Sequence, residues 1–166
     1  MYKRQDVVFG PRGSDAVFGS VGNSSELVNQ LYAYYNLSDN VTFTLGNFNT
    51  FLGYEVISPV ANFNYSTSYM FSYGPFSHTG AKLDFSVSDD VSIMLGVFNQ
   101  TDQTEANYDR YTAFGAQLGL YGQYINYLGG DGYSQFDFTG GIDLSDSFFL
   151  GINATTASLE GDTGFA

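Results

Sequence analysis

The most constraining feature of this sequence is a period-two alternation of apolar and polar residues, repeated in segments of about ten residues. Successive side chains of a β-strand point to opposite faces, so such a segment has one apolar face and one polar face. In residues 79–88 the apolar positions are Ala81, Leu83, Phe85 and Val87, and the polar positions are Lys82, Asp84 and Ser86. About ten residues is also the length of a tilted strand that crosses a bilayer. The pattern predicts an all-β, antiparallel protein whose strands separate lipid from water.

Eight segments show this alternation. They are residues 27–36, 41–46, 79–88, 91–97, 110–120, 123–128, 133–142 and 148–158. Three links between them share a sequence, at 37–40 (LSDN), 87–90 (VSDD) and 144–147 (LSDS). Ser, Asp and Asn side chains bond their own nearby backbone, so these links are predicted to be tight hairpin turns at the periplasmic end of a barrel. Longer links, such as 100–109, then fall at the opposite end.

The composition favours a membrane wall over a soluble domain. Aromatic residues make up 18% of the chain and charged residues 13%, whereas a typical soluble domain has about 25% charged residues. The mean hydropathy is −0.10, and no run of about 18 apolar residues is present, which excludes a spanning helix. A barrel wall alternates lipid-facing and lumen-facing side chains, so its average hydropathy stays near zero. The predicted fold is an antiparallel up-and-down transmembrane β-barrel, with aromatic girdles at its strand ends.

Residues 47–78 interrupt this pattern. Alternation fails there, and Pro59 and Pro75 would break ladder hydrogen bonds. An irregular stretch of about thirty residues in a regular barrel is usually functional or packed inside. We expect this segment to fold into the lumen and narrow the pore. Within it, residues 65–73 are predicted to form either a short helix, opened by Asn64 or Ser66, or an extra strand.

The charge balance argues against nucleic acid as a partner and favours cations as solutes. There are 17 acidic and 5 basic residues, a net charge of −12, so the basic patch that nucleic-acid binding needs is missing. In a pore, the acidic excess favours cations. The chain has no Cys, which excludes disulfides and thiolate metal sites, and no cofactor is required. The oligomeric state is left open, with a homo-oligomer as one outcome.

Both ends of the sequence differ from those expected of a whole exported barrel. No signal peptide opens it, residues 1–5 (MYKRQ) look like an unrelated lead-in, and residues 161–166 lack a terminal aromatic strand. The chain is therefore expected to be a single segment of a larger barrel. Its strands are predicted within 26–46 and 79–158, with residues 1–25 as a leading loop and residues 159–166 as a tail. Many glycines and small lumen residues suit a wide pore better than a filled eight-stranded interior.

Candidate pore-lining residues follow from the polar strand faces and the inserted segment. They are Glu55, Lys82, Asp84, Arg110, Gln117 and Asp137. A Lys or Arg facing lipid at mid-membrane costs about 2–4 kcal/mol, so Lys82 is expected to point inward. For Glu55 two interpretations stand: a constriction carboxylate that attracts cations, or a loop carboxylate that caps backbone amides.

Catalysis and metal binding find little support. His78 is the only histidine, and no spaced acid accompanies it, so a catalytic triad or metal site has little to build on. A hydrogen-bonded residue that fixes the inserted segment is the simpler interpretation. Asp102, Glu105 and Asp109 lack the spacing of a calcium loop, which favours a solvated acidic loop.

Three stretches carry a family resemblance: LGNFNTFLGYEV at 45–56, NFNYSTSYMFSYGPFSHTGAKLDF at 62–85 and SIMLGVFN at 92–99. They resemble the OmpL-like outer-membrane β-barrel porin family of Gram-negative bacteria, over about residues 27–128. The resemblance is most specific at 53–55 and 75–80, and it implies structural roles in the inserted loop for Gly53, Tyr54, Pro75 and His78. It further implies an outer-membrane barrel of more strands, in contact with lipid, through which ions or small hydrophilic solutes pass passively. No catalytic residue is implied.

The chain departs from the family pattern in two places. Gln100-Thr101-Asp102 stands where the family often has Gly-Trp-Asp, and Asn47 and Asn49 stand where it often has charged residues. The first departure touches an outer loop and the second alters the charge of the pore.

Two alternatives come from other classes of protein. A secreted soluble β-protein, such as an adhesin or carbohydrate-binding module, would hold its aromatic residues in a core or display them to sugars. It would bury Leu83, Phe85, Ile93 and Leu95, whereas a barrel would turn them to lipid. A closed, non-conducting barrel anchor would instead fill its lumen with side chains.

Overall fold

The computed structural model describes residues 1–7, 28–102, 112–130, 132–159 and 162–165, the last of these as backbone only. Ten strands form one sheet in sequence order, and every neighbouring pair is antiparallel. They are β1 (Tyr2–Val7), β2 (Val28–Ser38), β3 (Val41–Asn49), β4 (Ser77–Ser86), β5 (Val91–Phe98), β6 (Ala113–Leu120), β7 (Gln123–Gly130), β8 (Tyr133–Ser145), β9 (Phe148–Leu159) and β10 (Asp162–Phe165). Within the described ranges no pairing joins β1 to β10, so the sheet is open. The predicted all-β, up-and-down fold is confirmed.

The eight predicted strands are present as β2 to β9, with ends that differ by a few residues. Two predictions about the ends were wrong, since the leading loop contains β1 and the tail contains β10. Neither segment shows apolar alternation. β1 has charged residues on both faces (YKRQDV) and β10 has four residues, so pairing with β2 and β9 defines them. Arg110 and most of the 100–109 link lie outside the described residues.

The three predicted tight turns are confirmed, and they share one hydrogen bond. In each turn a serine Oγ accepts from the backbone N–H two residues later, at 3.3 Å: Ser38 from Asn40, Ser88 from Asp90, and Ser145 from Ser147. This is the local side-chain bond that favours serine at turns. A fourth short turn, Tyr121–Gly122, has φ of 52° and 77°, as a two-residue hairpin of type I′ requires. All four lie at the same end of the sheet.

The two faces of the sheet differ as the alternation predicts. We call the face that carries Lys82, Gln117 and Asp137 the inner face, and its opposite the outer face. Large apolar side chains are exposed on the outer face, among them Leu45, Leu95, Ile125, Phe136 and Ile152. Ile93 and Leu95 are 36% and 51% exposed, and Leu83 and Phe85 are half-buried, so none of these four lies in a core. No helix among the described residues is long and apolar enough to cross a membrane.

The irregular segment is shorter than predicted, at residues 50–76, because β3 continues to Asn49 and β4 begins at Ser77. The polar residues at those strand ends hide the continuation from a pattern search. The segment contains one 3₁₀ turn, Pro59–Ala61, and a short helix α1, Tyr69–Ser72. The helix alternative for residues 65–73 is therefore correct, but the N-cap is Ser68 rather than Asn64 or Ser66.

The core lies between this segment and the inner face of the sheet. Leu52, from the segment, is clustered with strand residues Phe48, Met94, Phe98, Ala113 and Leu128, and Phe51 packs against the cluster. Gly115 makes room for the aromatic rings, since a Cβ there would lie 2.5 Å from Phe98 Cε2 and 2.7 Å from Phe51 Cζ. The inserted segment is thus packed on the inner face, as expected for a loop folded into a lumen.

Candidate pore constriction

Three of the predicted pore-lining residues lie in one row across the sheet. The strand register places these residues directly opposite one another from β4 to β9: Asp84, Met94, Gln117, Asn126, Asp137 and Thr155. All of them occupy the inner face, because opposed residues of antiparallel strands share a face. The row therefore forms a polar belt, interrupted by Met94, at one level of the wall.

Asp137 is the centre of this belt and the point to which the inserted segment is tied. It is 5% exposed. Its Oδ2 accepts from the backbone N–H of Gly53 at 3.0 Å, from Asn126 Nδ2 at 2.8 Å and from Thr139 Oγ1 at 3.1 Å, and its Oδ1 accepts from Asn153 Nδ2 at 2.7 Å. A buried carboxylate needs such donors to offset its lost hydration. Gly53 has φ of +71°, a conformation that glycine adopts at little cost.

Gln117 supplies the second tie. Its Nε2 donates to the Phe51 carbonyl at 3.1 Å and to Asn126 Oδ1 at 2.8 Å. The same belt therefore binds the backbone on both sides of Leu52. These two bonds to the backbone, together with the packing of Leu52 in the core, fix the position of the segment.

His78 fixes the base of the segment from β4. It is fully buried, and its Nε2 lies 2.9 Å from Thr50 Oγ1. Its ring also packs between Phe51 and Phe98, with centroids 5.0 Å from each. These contacts join the first residues of the segment to the wall.

Glu55 lies inside the segment, where it is 8% exposed. Its Oε1 accepts from the backbone N–H of Ser68 at 2.9 Å, and its Oε2 accepts from the Ser68 hydroxyl. Ser68 in turn caps α1 by accepting from the Phe71 N–H at 3.3 Å. Both oxygens are thus engaged within the segment, an arrangement that matches the capping interpretation.

A cavity of about 410 Å³ lies between the segment and the inner faces of β8 and β9, and Glu55, buried Pro75 and Asp137 line it. The Tyr54 ring does not line this cavity but contacts another aromatic ring. Its ring lies 6.3 Å from Phe63, which lies 6.3 Å from Phe149 in β9. The register places Phe149 near the end of the sheet that has the short turns. The contacts of Tyr54, Phe63 and Phe149 therefore extend the packing of the segment on the wall towards that end.

Lys82 and Asp84 form an ion pair on the inner face of β4. Lys82 Nζ is 2.9 Å from Asp84 Oδ1 and 5.5 Å from the centre of the Phe48 ring. The side chains are 23% and 39% exposed, so the pair is open to solution and contributes about 0–1 kcal/mol to stability.

Asp102 anchors the other end of the segment, which corrects the prediction of a solvated loop at this residue. Its Oδ1 accepts from the backbone N–H groups of Phe76 and Ser77 at 2.8 and 2.9 Å. Burial raises the pKa of Asp102 above its ordinary value of 3.8, and the two backbone bonds oppose this shift. Glu105 and Asp109 lie outside the described residues.

The sequence interpretation missed the partners that make this site. Asn126, Asn153 and Thr139 complete the hydrogen bonds of Asp137, and Ser68 completes the cap of α1. The alternation of β7 and β9 does place Asn126 and Asn153 on a polar face. Which strand positions stand opposite each other is decided by register, which depends on the type and length of each connecting turn, and the sequence interpretation assigned no register to β7, β8 and β9.

Comparison with known families gives one match over nearly the whole chain. The family model described as "Putative beta-barrel porin-2, OmpL-like" matches residues 3–164. The matched range includes the polar belt and the whole inserted segment. No curated protein and no solved structure matches the chain.

Proposed function

The chain belongs to the OmpL-like β-barrel porin family, and from this premise we propose that it forms the wall and constriction of a bacterial outer-membrane pore. Ions and small hydrophilic solutes would cross it by passive diffusion. The proposed activity is transport without chemistry, so it involves no catalytic residue and no cofactor. The open sheet supports a further part of the proposal, that it is one segment of a larger barrel.

The observation that carries this proposal is the tie between residues 50–76 and the inner face. Asp137 binds Gly53, and Gln117 binds the Phe51 carbonyl, so a folded segment lies on the polar side of a wall whose other side is apolar. A segment held there reduces the cross-section open to a solute. Selectivity then depends on the space that remains and on the charges that line it.

The soluble alternative is poorly supported by the outer face. Leu95, Phe114, Ile125 and Phe136 are each more than half exposed, and together they extend across β5 to β8. Soluble proteins rarely expose contiguous apolar patches of this extent, whereas lipid covers such a surface in a barrel. The closed-anchor alternative would need β1 to pair with β10, a pairing absent from the described strands.

Charge selectivity gives the most direct test, in planar bilayers that contain the full-length protein under a KCl gradient. Lys82→Gln leaves Asp84 without its ion partner, so the reversal potential should shift towards stronger cation preference. Asp84→Asn should shift it in the opposite direction. Glu55→Gln should move it little, since Glu55 is bonded to Ser68 inside the segment.

Each outcome of this experiment has a distinct meaning. Stepwise conductance with opposite shifts for Lys82→Gln and Asp84→Asn supports a pore lined by this pair. A large shift for Glu55→Gln would restore its interpretation as a constriction carboxylate. No conductance from correctly inserted protein would refute the pore and favour a barrel anchor.

A further inference from the structure

A groove of about 570 Å³ lies on the inner face of β1 to β4, apart from the belt that holds the inserted segment. Arg4, Gln30, Tyr32, Tyr34, Phe48 and Lys82 are among its lining residues. This volume is within the range of roughly 300–1,000 Å³ that small-molecule sites occupy. Strand alternation places Tyr32 and Tyr34 on the inner face, opposite Gly46 and Thr44.

Three aromatic rings that line this groove, those of Tyr34, Tyr32 and Phe48, continue a row that begins at Tyr2. Tyr2 stacks on Tyr34 with centroids 5.1 Å apart and an angle of 23°, Tyr34 lies 6.4 Å from Tyr32, and Tyr32 lies 6.2 Å from Phe48. From Tyr34 to Tyr32 the row follows β2, and a solute that moves through the proposed pore would pass along this face of the wall. Tyrosine offers an apolar ring together with a hydroxyl that can donate and accept hydrogen bonds.

The charges of the groove come in neutral pairs. Arg4 donates from Nε to Asp6 Oδ1 at 2.9 Å, and Lys82 donates to Asp84 Oδ1 at 2.9 Å. Gln30 joins the first pair by donating to Asp6. Lys3 also lines the groove, but alternation along β1 places its Cβ atom on the outer face. Each inward cation therefore lies beside a carboxylate.

From this geometry we propose that the groove is a binding subsite for neutral sugars. A pyranose has a C–H face that packs on an aromatic ring and a rim of hydroxyls that both donate and accept. Paired cations and carboxylates offer donors and acceptors side by side to neighbouring hydroxyls. Asp6 and Asp84 offset the charges of Arg4 and Lys82, so an anionic solute gains less here than at unpaired basic residues. A bare inorganic cation would gain little from hydroxylated rings. The proposal rests on the pore function and names the class of solute that the pore favours.

The test is ion current through the full-length protein in planar bilayers, with maltose as the probe. Maltose should reduce the current saturably, because it occupies a site, whereas a polyethylene glycol of similar size should reduce it without saturation. Tyr34→Leu should weaken the apparent maltose affinity about tenfold by removing a ring, and Tyr34→Phe should change it less than about threefold. Tyr124→Leu is the matched control, since Tyr124 shares the inner face but lies on β7.

The outcomes separate this inference from the pore itself. Normal conductance with no saturable maltose effect overturns the sugar site and leaves the pore function intact. Tighter block by glucose 6-phosphate than by maltose would also overturn it, in favour of an anion site. If the protein does not conduct, the pore proposal fails, and calorimetry of maltose binding to the detergent-solubilised protein and to Tyr34→Leu then decides the sugar site alone.

Discussion

At the scale of single residues, Asp137 shows how one side chain can hold the inserted segment against the sheet. A buried carboxylate is costly unless donors surround it, and this one receives four hydrogen bonds, three of them from side chains of β7, β8 and β9. The fourth donor is the backbone of Gly53 in the inserted segment. The strands therefore hold the Asp137 carboxylate in position, and the segment supplies its fourth donor. Removal of the carboxylate should lower the stability of the sheet and loosen the segment.

Asp137→Asn tests this role. The amide presents an NH₂ group where the carboxylate accepts, so at least one of the four bonds must be lost. We expect a lower free energy of unfolding, by about 1–3 kcal/mol, and a larger, noisier conductance as the segment loosens. Asp143→Asn is the control, because Asp143 lies on the same face of β8 but is exposed. Equal behaviour of the two variants would show that Asp137 does not hold the segment.

Asp102 gives a prediction about pH. Its folded-state pKa is raised by burial, so the folded protein binds this proton more tightly than the unfolded chain does. The resulting stabilisation is fully present below the ordinary value of 3.8 and is lost as pH rises through the folded pKa. Asp102→Asn keeps an oxygen that can accept from Phe76 and Ser77 and removes the proton, so it should flatten this dependence.

Urea unfolding of the detergent-folded protein between about pH 3.5 and 7 measures the effect of Asp102. The unfolding midpoints of wild type and Asp102→Asn should differ in slope over the lower half of that range. Parallel curves would mean that the carboxyl of Asp102 does not titrate differently on folding.

At the scale of elements, the strands and the inserted segment differ in how far a sequence can predict them. Alternation alone placed Lys82 and Asp84 on one face, because a strand's side chains obey a local geometric rule. The segment obeys no such rule. Its position depends on bonds such as Gly53 to Asp137, which join residues 84 apart in the chain. Its existence was predictable from the failure of alternation, and His78 was named from the sequence as a residue that fixes it. Its bonds to Asp137 and Gln117 and the position of its cap were not predictable in this way.

The cap of α1 is the clearest case, and it can be tested directly. Asn64 and Ser66 are also good N-cap residue types, but Ser68 is the one that Glu55 binds, so a tertiary contact selects among them. Ser68→Ala should cost this four-residue helix about 1 kcal/mol, and chymotrypsin should then cut at 69–73 about fivefold faster. Ser66→Ala is the matched control and should be cut at the wild-type rate. Faster cleavage of the control instead would place the cap at Ser66.

At the scale of the whole molecule, the sheet has an apolar outer face and two strands, β1 and β10, that each pair on one side only within the described structure. Unpaired backbone groups are expensive in lipid, so a sheet in a membrane must close. Alternation predicted the eight strands with two distinct faces and failed for these two, whose strand character comes from their neighbours. The outer face distinguishes a membrane wall from a soluble sheet, because an exposed leucine is favourable in lipid and unfavourable in water.

A substitution at Leu95 tests whether lipid or water covers the outer face. It is central in β5 and 51% exposed on the outer face. In water, an arginine at such a position changes stability by roughly 0.5 kcal/mol or less, whereas at the bilayer midplane it costs about 2–4 kcal/mol. Val87→Arg is the matched control, since Val87 is 60% exposed just beyond the end of β4. An arginine near the interface costs only about 0–1 kcal/mol.

Urea titration of the full-length protein folded into lipid vesicles measures both variants. A loss of stability confined to Leu95→Arg places the outer face in lipid, with β5 crossing it. Small and equal effects would mean that water covers Leu95, and the sheet would then belong to a soluble protein.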